Sequence, residues 1–420
     1  MTNDPAVEPG RVWAATAEID EAVVRRWRPI ALATAVVFAL NATVIASWVA
    51  RLPATRDRLD LDARTIGLTL LMAGLGSLVA MPFVGKLAAR WSSKPVVLGA
   101  ALLCAVSLVT LSLTPDALTT GIVLFLLGAA YGSWDVAMNI QGSYVDRQAG
   151  RDYMPRYHGS WSVGAALGAG LGALAAGLGL GLTTHLTIAA LIGCGGAALV
   201  VLRWYVDDRE PVATAGPTAD PSSPTYQGGS RRLLSRRLVL IGVITLCACL
   251  LEGAAGDWFA LYLTDERGAT AAVAALGYGT FAAAMAISRF SGTSLIRRFG
   301  RVGAIRLAGV VALVGVLATL TLPGILGAIL GVVAWGAGIA LVFPAAMSAG
   351  GETPGRAADG IAAVSTIGYG GFLIGPPLIG LLAHEIGLGR ALWLLPALAA
   401  GILLLAPAVA PAPDDRAARP

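Results

Sequence analysis

Charge is what this sequence has least of. Of 420 residues only 13% are charged, against about 25% in an ordinary soluble domain. That scarcity excludes a freely soluble globular chain. The net charge of +5 is no nucleic-acid footprint, because nearly all the basic residues sit in the tails and around the loops between apolar runs, so no nucleic-acid partner is expected. Histidine is nearly absent. The three present, His158, His185 and His384, fall in separate runs, and neither HExxH nor GxSxG occurs. A membrane enzyme with a clustered nucleophile and base is therefore not expected. No GxxxxGK[ST] phosphate loop is present, which argues against an ATP motor. Four cysteines, Cys104, Cys194, Cys247 and Cys249, all lie in apolar runs without zinc-site spacing or partner ligands, and read as free thiols. No cofactor and no metal is implied.

Apolar residues make up 56% of the chain, the mean hydropathy is +0.73, and 53 residues are glycine. Spanning a bilayer takes about 20 apolar residues. Twelve such runs occur, six before and six after a polar link from Arg203 to Arg237 whose middle, Pro211 to Ser230, is rich in Pro, Ser, Thr and Gly and reads as a flexible linker. The expectation is an all-α polytopic membrane protein with twelve transmembrane helices in two pseudo-symmetric six-helix halves. Its divisions are a tail over 1–28, a first half over 29–203, a linker over 204–237, a second half over 238–409 and a tail over 410–420. The first run is too long for a cleaved signal peptide, and the tails are too short for an added soluble sensor domain.

The halves echo each other. Arg90-Trp91 recurs as Arg298-Phe299, an offset of 208, and Gly164/Gly168 recurs as Gly371/Gly375, an offset of 207. A shared offset marks a duplicated unit. With both termini on the cytoplasmic side, the inner segments hold 23 Lys and Arg and the outer loops 6, which satisfies the positive-inside rule. Arg289 is the remaining one, inside the eighth run. The expected location is a bacterial inner membrane, with the lipid bilayer as surroundings and a monomer as the assembly.

The stretch Gly128–Gly168 carries the main candidates. Gly128, Gly132, Asp135, Asn139 and Gly142 step by four, three, four and three, so they share one helical face. Such a stripe lines something wet or touches another helix closely. Asp135 is a carboxylate at membrane depth and so a functional candidate, the alternative being a polar anchor satisfied by a neighbouring helix. The seventh run contributes Glu252, Asp257, Trp258 and Tyr262, with Gly253 and Gly256 making it easy to bend. Glu252 and Asp257 lie about 140° apart around a helix and need not serve one site. Arg289 either pairs with Glu252 as a charge partner or gate, or snorkels to the inner interface. His158 is a candidate proton relay or an interfacial cap, and Asn41 is a weaker candidate or packing glue. Trp258 and Tyr262 either sit in the interface belt or line a sugar-sized cavity.

Taken together, these features resemble the major facilitator superfamily. The segment Gly85-Lys86-Leu87-Ala88-Ala89-Arg90-Trp91-Ser92-Ser93-Lys94 is similar to the family's loop between helices two and three, with Ala89 where an acid is usual. The Gly128–Asn139 run resembles the fucose–proton symporter branch, which implies a proton-carrying and sugar-contacting role for Asp135 beside Asn139. Helix one offers only Asn41 where that branch has an aspartate. Ala50-Arg51-Leu52-Pro53, Asp135 to Asn139, Glu252-Gly253 with Asp257-Trp258, and Gly370 to Pro377 are similar to bacterial relatives of a rhizopine (inositol-derivative) transport protein. The resemblance implies alternating access at a midplane site, with a small-molecule substrate (a sugar, polyol or related metabolite) and protons as partners. Efflux of a drug or metabolite is the rival reading.

Overall fold

The computed structural model describes residues 21–151, 153–209, 235–352 and 357–411. The expected flexible middle of the linker, and most of both tails, lie outside the described residues. Among the described residues twelve helices are long and apolar enough to cross a membrane. In the first half they are α1 (Glu21–Val49), α2 (Ala63–Trp91), α3 (Ser93–Leu111), α4 (Ala117–Ala149), α5 (Met154–Gly177) and α6 (Leu182–Trp204). In the second half they are α7 (Arg236–Arg267), α8 and α9 (together Ala271–Thr321, turned at Gly300), α10 (Gly324–Gly351), α11 (Ala357–Ile386) and α12 (Leu388–Val409). Six crossings per half return the chain to the face it started from, called here the termini face.

The duplication is visible in the backbone. α2 ends where Ser92 takes φ 77° and ψ 158°, and α8 ends where Gly300 takes φ 67° and ψ 167°. This corner of conformational space is nearly glycine-only, and the two positions are 208 apart. In both halves the preceding guanidinium lies over the preceding ring, Arg90 over Trp91 at 5.9 Å and Arg298 over Phe299 at 5.4 Å. Ser92 is held in its conformation by buried bonds. Its hydroxyl donates to Asp208 Oδ1 at 2.8 Å, and the same carboxylate oxygen accepts from Ser93 N at 2.8 Å.

The paired glycines do matching work. A Cβ on Gly164 would lie 2.0 Å from the carbonyl oxygen of Ala39, and one on Gly168 would lie 2.4 Å from that of Thr43, so α5 packs backbone to backbone on α1. A Cβ on Gly371 would lie 2.6 Å from the carbonyl oxygen of Leu246, the same contact between α11 and α7. Without a hydrophobic force between helices in lipid, such close approach supplies the packing energy.

The halves meet through α2 with α11 and α5 with α8. On the far face they are closed. Gly67 abuts the carbonyl of Pro376, Gly279 abuts Ala169, Arg56 pairs with Asp265, and His384 Nδ1 lies 3.2 Å from Asp62 Oδ2. Towards the termini face Pro82, Phe83, Gly85, Lys86 and Leu87 of α2 are all exposed. The α5–α8 pair stays in contact there, with Phe290 seated on Gly159. All four cysteines are buried and free.

Candidate functional site

The five-residue stripe on α4 divides its labour. Gly128 and Gly132 lie against Ala73 and Ser77 of α2, and Gly142 lies against Tyr157 of α5. Asp135 and Asn139, between them, stay half-buried. The stripe therefore touches neighbouring helices through its glycines and leaves a half-buried carboxylate and amide between those contacts.

Asp135 sits near the middle of α4, at membrane depth. Asn139 Nδ2 donates to the Asp135 backbone oxygen at 2.8 Å and reaches its Oδ1 at 3.5 Å. The carboxylate interacts electrostatically with the phenols of Tyr131, one turn earlier, and Tyr369 of α11. It forms no ion pair among the described residues. An acid here without a cation is costly to keep charged unless a proton or a ligand neutralises it.

Glu252 and Asp257 of α7 are both half-buried, and both act on the Tyr278 phenol of α8. Of the two, Glu252 lines the cavity described below. Glu252 is compensated. Arg289 Nη2 lies 3.6 Å from its Oε1, while Arg289 Nη1 donates to Ser162 Oγ at 2.7 Å across the gap between the halves. Pairing, and not snorkelling, is the outcome. The helix carrying Arg289 runs to Gly300 and not to Leu295, five residues or about 7.5 Å further, which places the guanidinium deeper than a helix end at Leu295 would. Asp257 has no hydrogen bond or ion pair among the described residues.

Trp161, Ser162, Ala165, Tyr278 and Met285 line a cavity with Glu252 and Arg289. Its wall includes a tyrosine and a tryptophan that sequence reasoning did not select, and Tyr131 and Tyr369 act on nearby carboxylates. Tyr131 and Trp161 were within reach, each near a flagged polar residue. Tyr278 and Tyr369 come from helices distant in sequence and carried no local signal.

The other candidates scatter. Asn41 is fully buried and accepts from the Trp161 indole at 3.3 Å, which ties α1 to α5 beside the cavity. His158 is exposed, its ring edge-on to Phe38 at 5.5 Å, at the termini-face mouth. Trp258 and Tyr262 lie in neither of their expected places. They are 1% and 3% exposed, inside the second half, because the face of α7 they occupy turns toward its own bundle. The Tyr262 hydroxyl donates to the Thr319 oxygen at 3.2 Å and accepts from Arg267 Nε at 2.9 Å. Arg51 is also buried, its Nη2 donating to the Leu180 oxygen at 3.0 Å.

Comparisons with known proteins agree with this geometry. The Major Facilitator Superfamily model matches residues 31–371. An uncharacterised transporter, y4wD of Sinorhizobium fredii, is 33% identical over 385 residues, 91% of this chain and 97% of that protein. Membrane protein MosC of Rhizobium meliloti is 28% identical over 361 residues, 86% and 85% of the two chains. Among solved structures, a mutant form of the nucleoside transporter NupG superposes with a TM-score of 0.72 at 17% identity, covering 90% of this chain and 98% of its own. A mutant form of the fucose:proton symporter FucP of E. coli superposes with a TM-score of 0.59 at 17% identity, covering 92% and 99%. At that identity the structures share the fold.

Proposed function

The chain belongs to the Major Facilitator Superfamily, and from that premise we propose a proton-coupled carrier of a small polar solute, with Asp135 as the protonation site. It is a multi-pass membrane transporter. The observation that carries the proposal is a carboxylate without an ion pair among the described residues, Asp135, half-buried at membrane depth beside Asn139 and within electrostatic reach of the phenols of Tyr131 and, from the other half, Tyr369. Its charge is tied to what occupies the cavity. A proton or a solute contact relieves the cost of the charge, and their mutual dependence is the coupling.

A sugar, polyol or related metabolite suits the mixture of phenols, an indole and carboxylates. Two of the solved folds it resembles are titled as carriers of polar solutes, a nucleoside and fucose. The termini face is the cytoplasmic one in this reading, and the membrane is the bacterial inner membrane. The closed far face then makes this an inward-facing form of the alternating-access cycle. Efflux of an organic solute is the second reading, favoured by the Trp161, Phe281 and Met285 lining beside Glu252.

A thermal-shift screen of the purified protein tests the solute class. Sugars, polyols, amino acids and hydrophobic cationic drugs are added at pH 5.5 and 7.5. A ligand of the folded state raises the melting temperature by mass action. The proposal expects a polar hydroxylated hit whose effect changes between the two pH values in the wild type and not in Asp135→Asn. Hits confined to hydrophobic cations would favour efflux.

A further inference from the structure

A second cavity, of about 380 Å³, opens on the termini face between the start of α7 and the end of α12. It shares no residue with the cavity at Glu252 and has no part in transport as proposed. Arg236, Arg237, Leu240, Pro407 and Ala408 line it. The two arginines are held differently. Arg237 is built in. Its Nε donates to the Ala408 oxygen at 3.2 Å, and its Nη2 donates to the Ala410 oxygen at 2.7 Å and to Glu352 Oε2 at 3.3 Å. Those two carbonyls lie at the end of α12, so the guanidinium is fixed in the cavity wall before any ligand arrives. Arg301, at the start of α9, pairs with the same Glu352 and reaches the Val409 oxygen at 3.4 Å. Arg236 is exposed and has no ion pair or side-chain hydrogen bond among the described residues. Three guanidiniums thus share one carboxylate, and two of the three line the cavity.

The depth of this cavity is that of a lipid headgroup. Arg236 is the first residue of α7, at the end of a span. One turn further in, Val239 is 37% exposed, and one turn before Pro407 on α12, Leu404 is 75% exposed. Apolar side chains so exposed on spanning helices face acyl chains. An excess of positive charge therefore sits above an apolar wall. Basic pockets between transmembrane helices take anionic headgroups, and a guanidinium fork matches two phosphate oxygens at once. The volume holds about a dozen waters, more than a lone ion needs. We propose that this cavity binds an anionic phospholipid, with its phosphate between Arg236 and Arg237 and its chains along Val239 and Leu404. A free phosphate would meet the same arginines and leave the apolar wall unused. The lipid bridges α7 and α12, the first and last spans of the second half, and Arg237 connects it through Glu352 to α9. The site is independent of the transported solute and of Asp135.

The test is a lipid titration of the detergent-purified protein, read by its melting temperature. Phosphatidylglycerol is compared with phosphatidylcholine, and with glycerol phosphate and inorganic phosphate as soluble probes. Each variant is referred to its own melt in phosphatidylcholine, which removes any loss of fold stability from the comparison. The expected result is that phosphatidylglycerol raises the melting temperature at lower concentration than phosphatidylcholine does. One basic residue near the membrane surface is worth about a fivefold change in affinity for an anionic lipid. Arg236→Gln should therefore need about fivefold more phosphatidylglycerol for the same shift, while Arg236→Lys stays near wild type. Ala410→Glu leaves both arginines in place and puts an acid in the lining, and it should weaken the lipid at least as much. Arg297→Gln removes an exposed charge from the same face outside the cavity and should change nothing. No preference for phosphatidylglycerol, a preference unchanged by Arg236→Gln, or an equal loss in Arg297→Gln would overturn the site. Equal shifts with glycerol phosphate or inorganic phosphate would overturn the lipid as its occupant.

Discussion

Arg289 belongs to one half of the molecule and is held by both. It pairs with Glu252 of its own half at 3.6 Å and donates to Ser162 of the other at 2.7 Å. When the halves rock, the second contact must change while the first can persist. Glu252→Gln leaves a guanidinium without its counter-charge in the membrane interior. We expect a loss of ~1–3 kcal/mol, below the ~3–5 kcal/mol of a fully buried pair because both side chains are about a fifth exposed. Removing Arg289 as well, in Glu252→Gln/Arg289→Gln, restores part of that loss. Thermal melts of the two single variants and the double variant measure the coupling.

Backbone contact between α1 and α5 sets a second expectation. Gly164→Val introduces atoms where even a Cβ would lie 2.0 Å from a carbonyl oxygen. Overpacking of this kind costs ~1–3 kcal/mol or more. The same change at Gly170, where a Cβ meets nothing within 4 Å, is the control. Melting temperatures should fall for the first and stay near wild type for the second.

On the termini face Glu352 joins Arg301 and Arg237. The Arg301 guanidinium, with Arg237, holds its carboxyl below the usual carboxylate range. A depressed folded-state pKa adds stability that is present above the unfolded value, about 4.3 for Glu, and is lost as pH falls through the folded one. Glu352→Gln should therefore lower stability at pH 7 by ~1 kcal/mol. The difference from wild type should shrink below about pH 4.5. Melts across pH 3.5 to 7.5 check it.

Arg56–Asp265 and Asp62–His384 join the halves on the far face. Surface pairs are worth ~0–1 kcal/mol each. Removing both, in Arg56→Ala/His384→Ala, should shift the conformational equilibrium by ~1 kcal/mol, about fivefold, toward forms open on that face. Distances between spin labels at Asp60 and Glu385 should lengthen. An unchanged distribution would remove these pairs as a latch.

Several of these features were readable before any coordinates. The twelve spans follow from apolar length, and the duplication from the offset that also relates Ser92 to Gly300. The double role of the α4 stripe was half visible, since glycine, acid and amide on one face suit both helix contact and a wet space. Arg289 was ambiguous for a specific reason. The run Ile296-Arg297-Arg298 looks like a helix leaving the membrane, yet no proline or glycine interrupts it before Gly300. Trp258 and Tyr262 were misplaced because α7 carries polar groups on more than one face, and only tertiary packing decides which face meets the cavity. Tyr278 and Tyr369 converge from two helices far apart in sequence.

The central claim is that Asp135 carries the proton that moves with the solute. The direct measurement uses vesicles reconstituted with purified protein and loaded with a pH-sensitive dye. A solute identified by binding is added outside with no pH gradient imposed. The account predicts that wild-type protein moves protons with the solute. Asp135→Asn should move none, while still exchanging labelled for unlabelled solute across the membrane. Solute-driven proton movement that persists in Asp135→Asn, or wild-type solute movement with no proton movement, would contradict it.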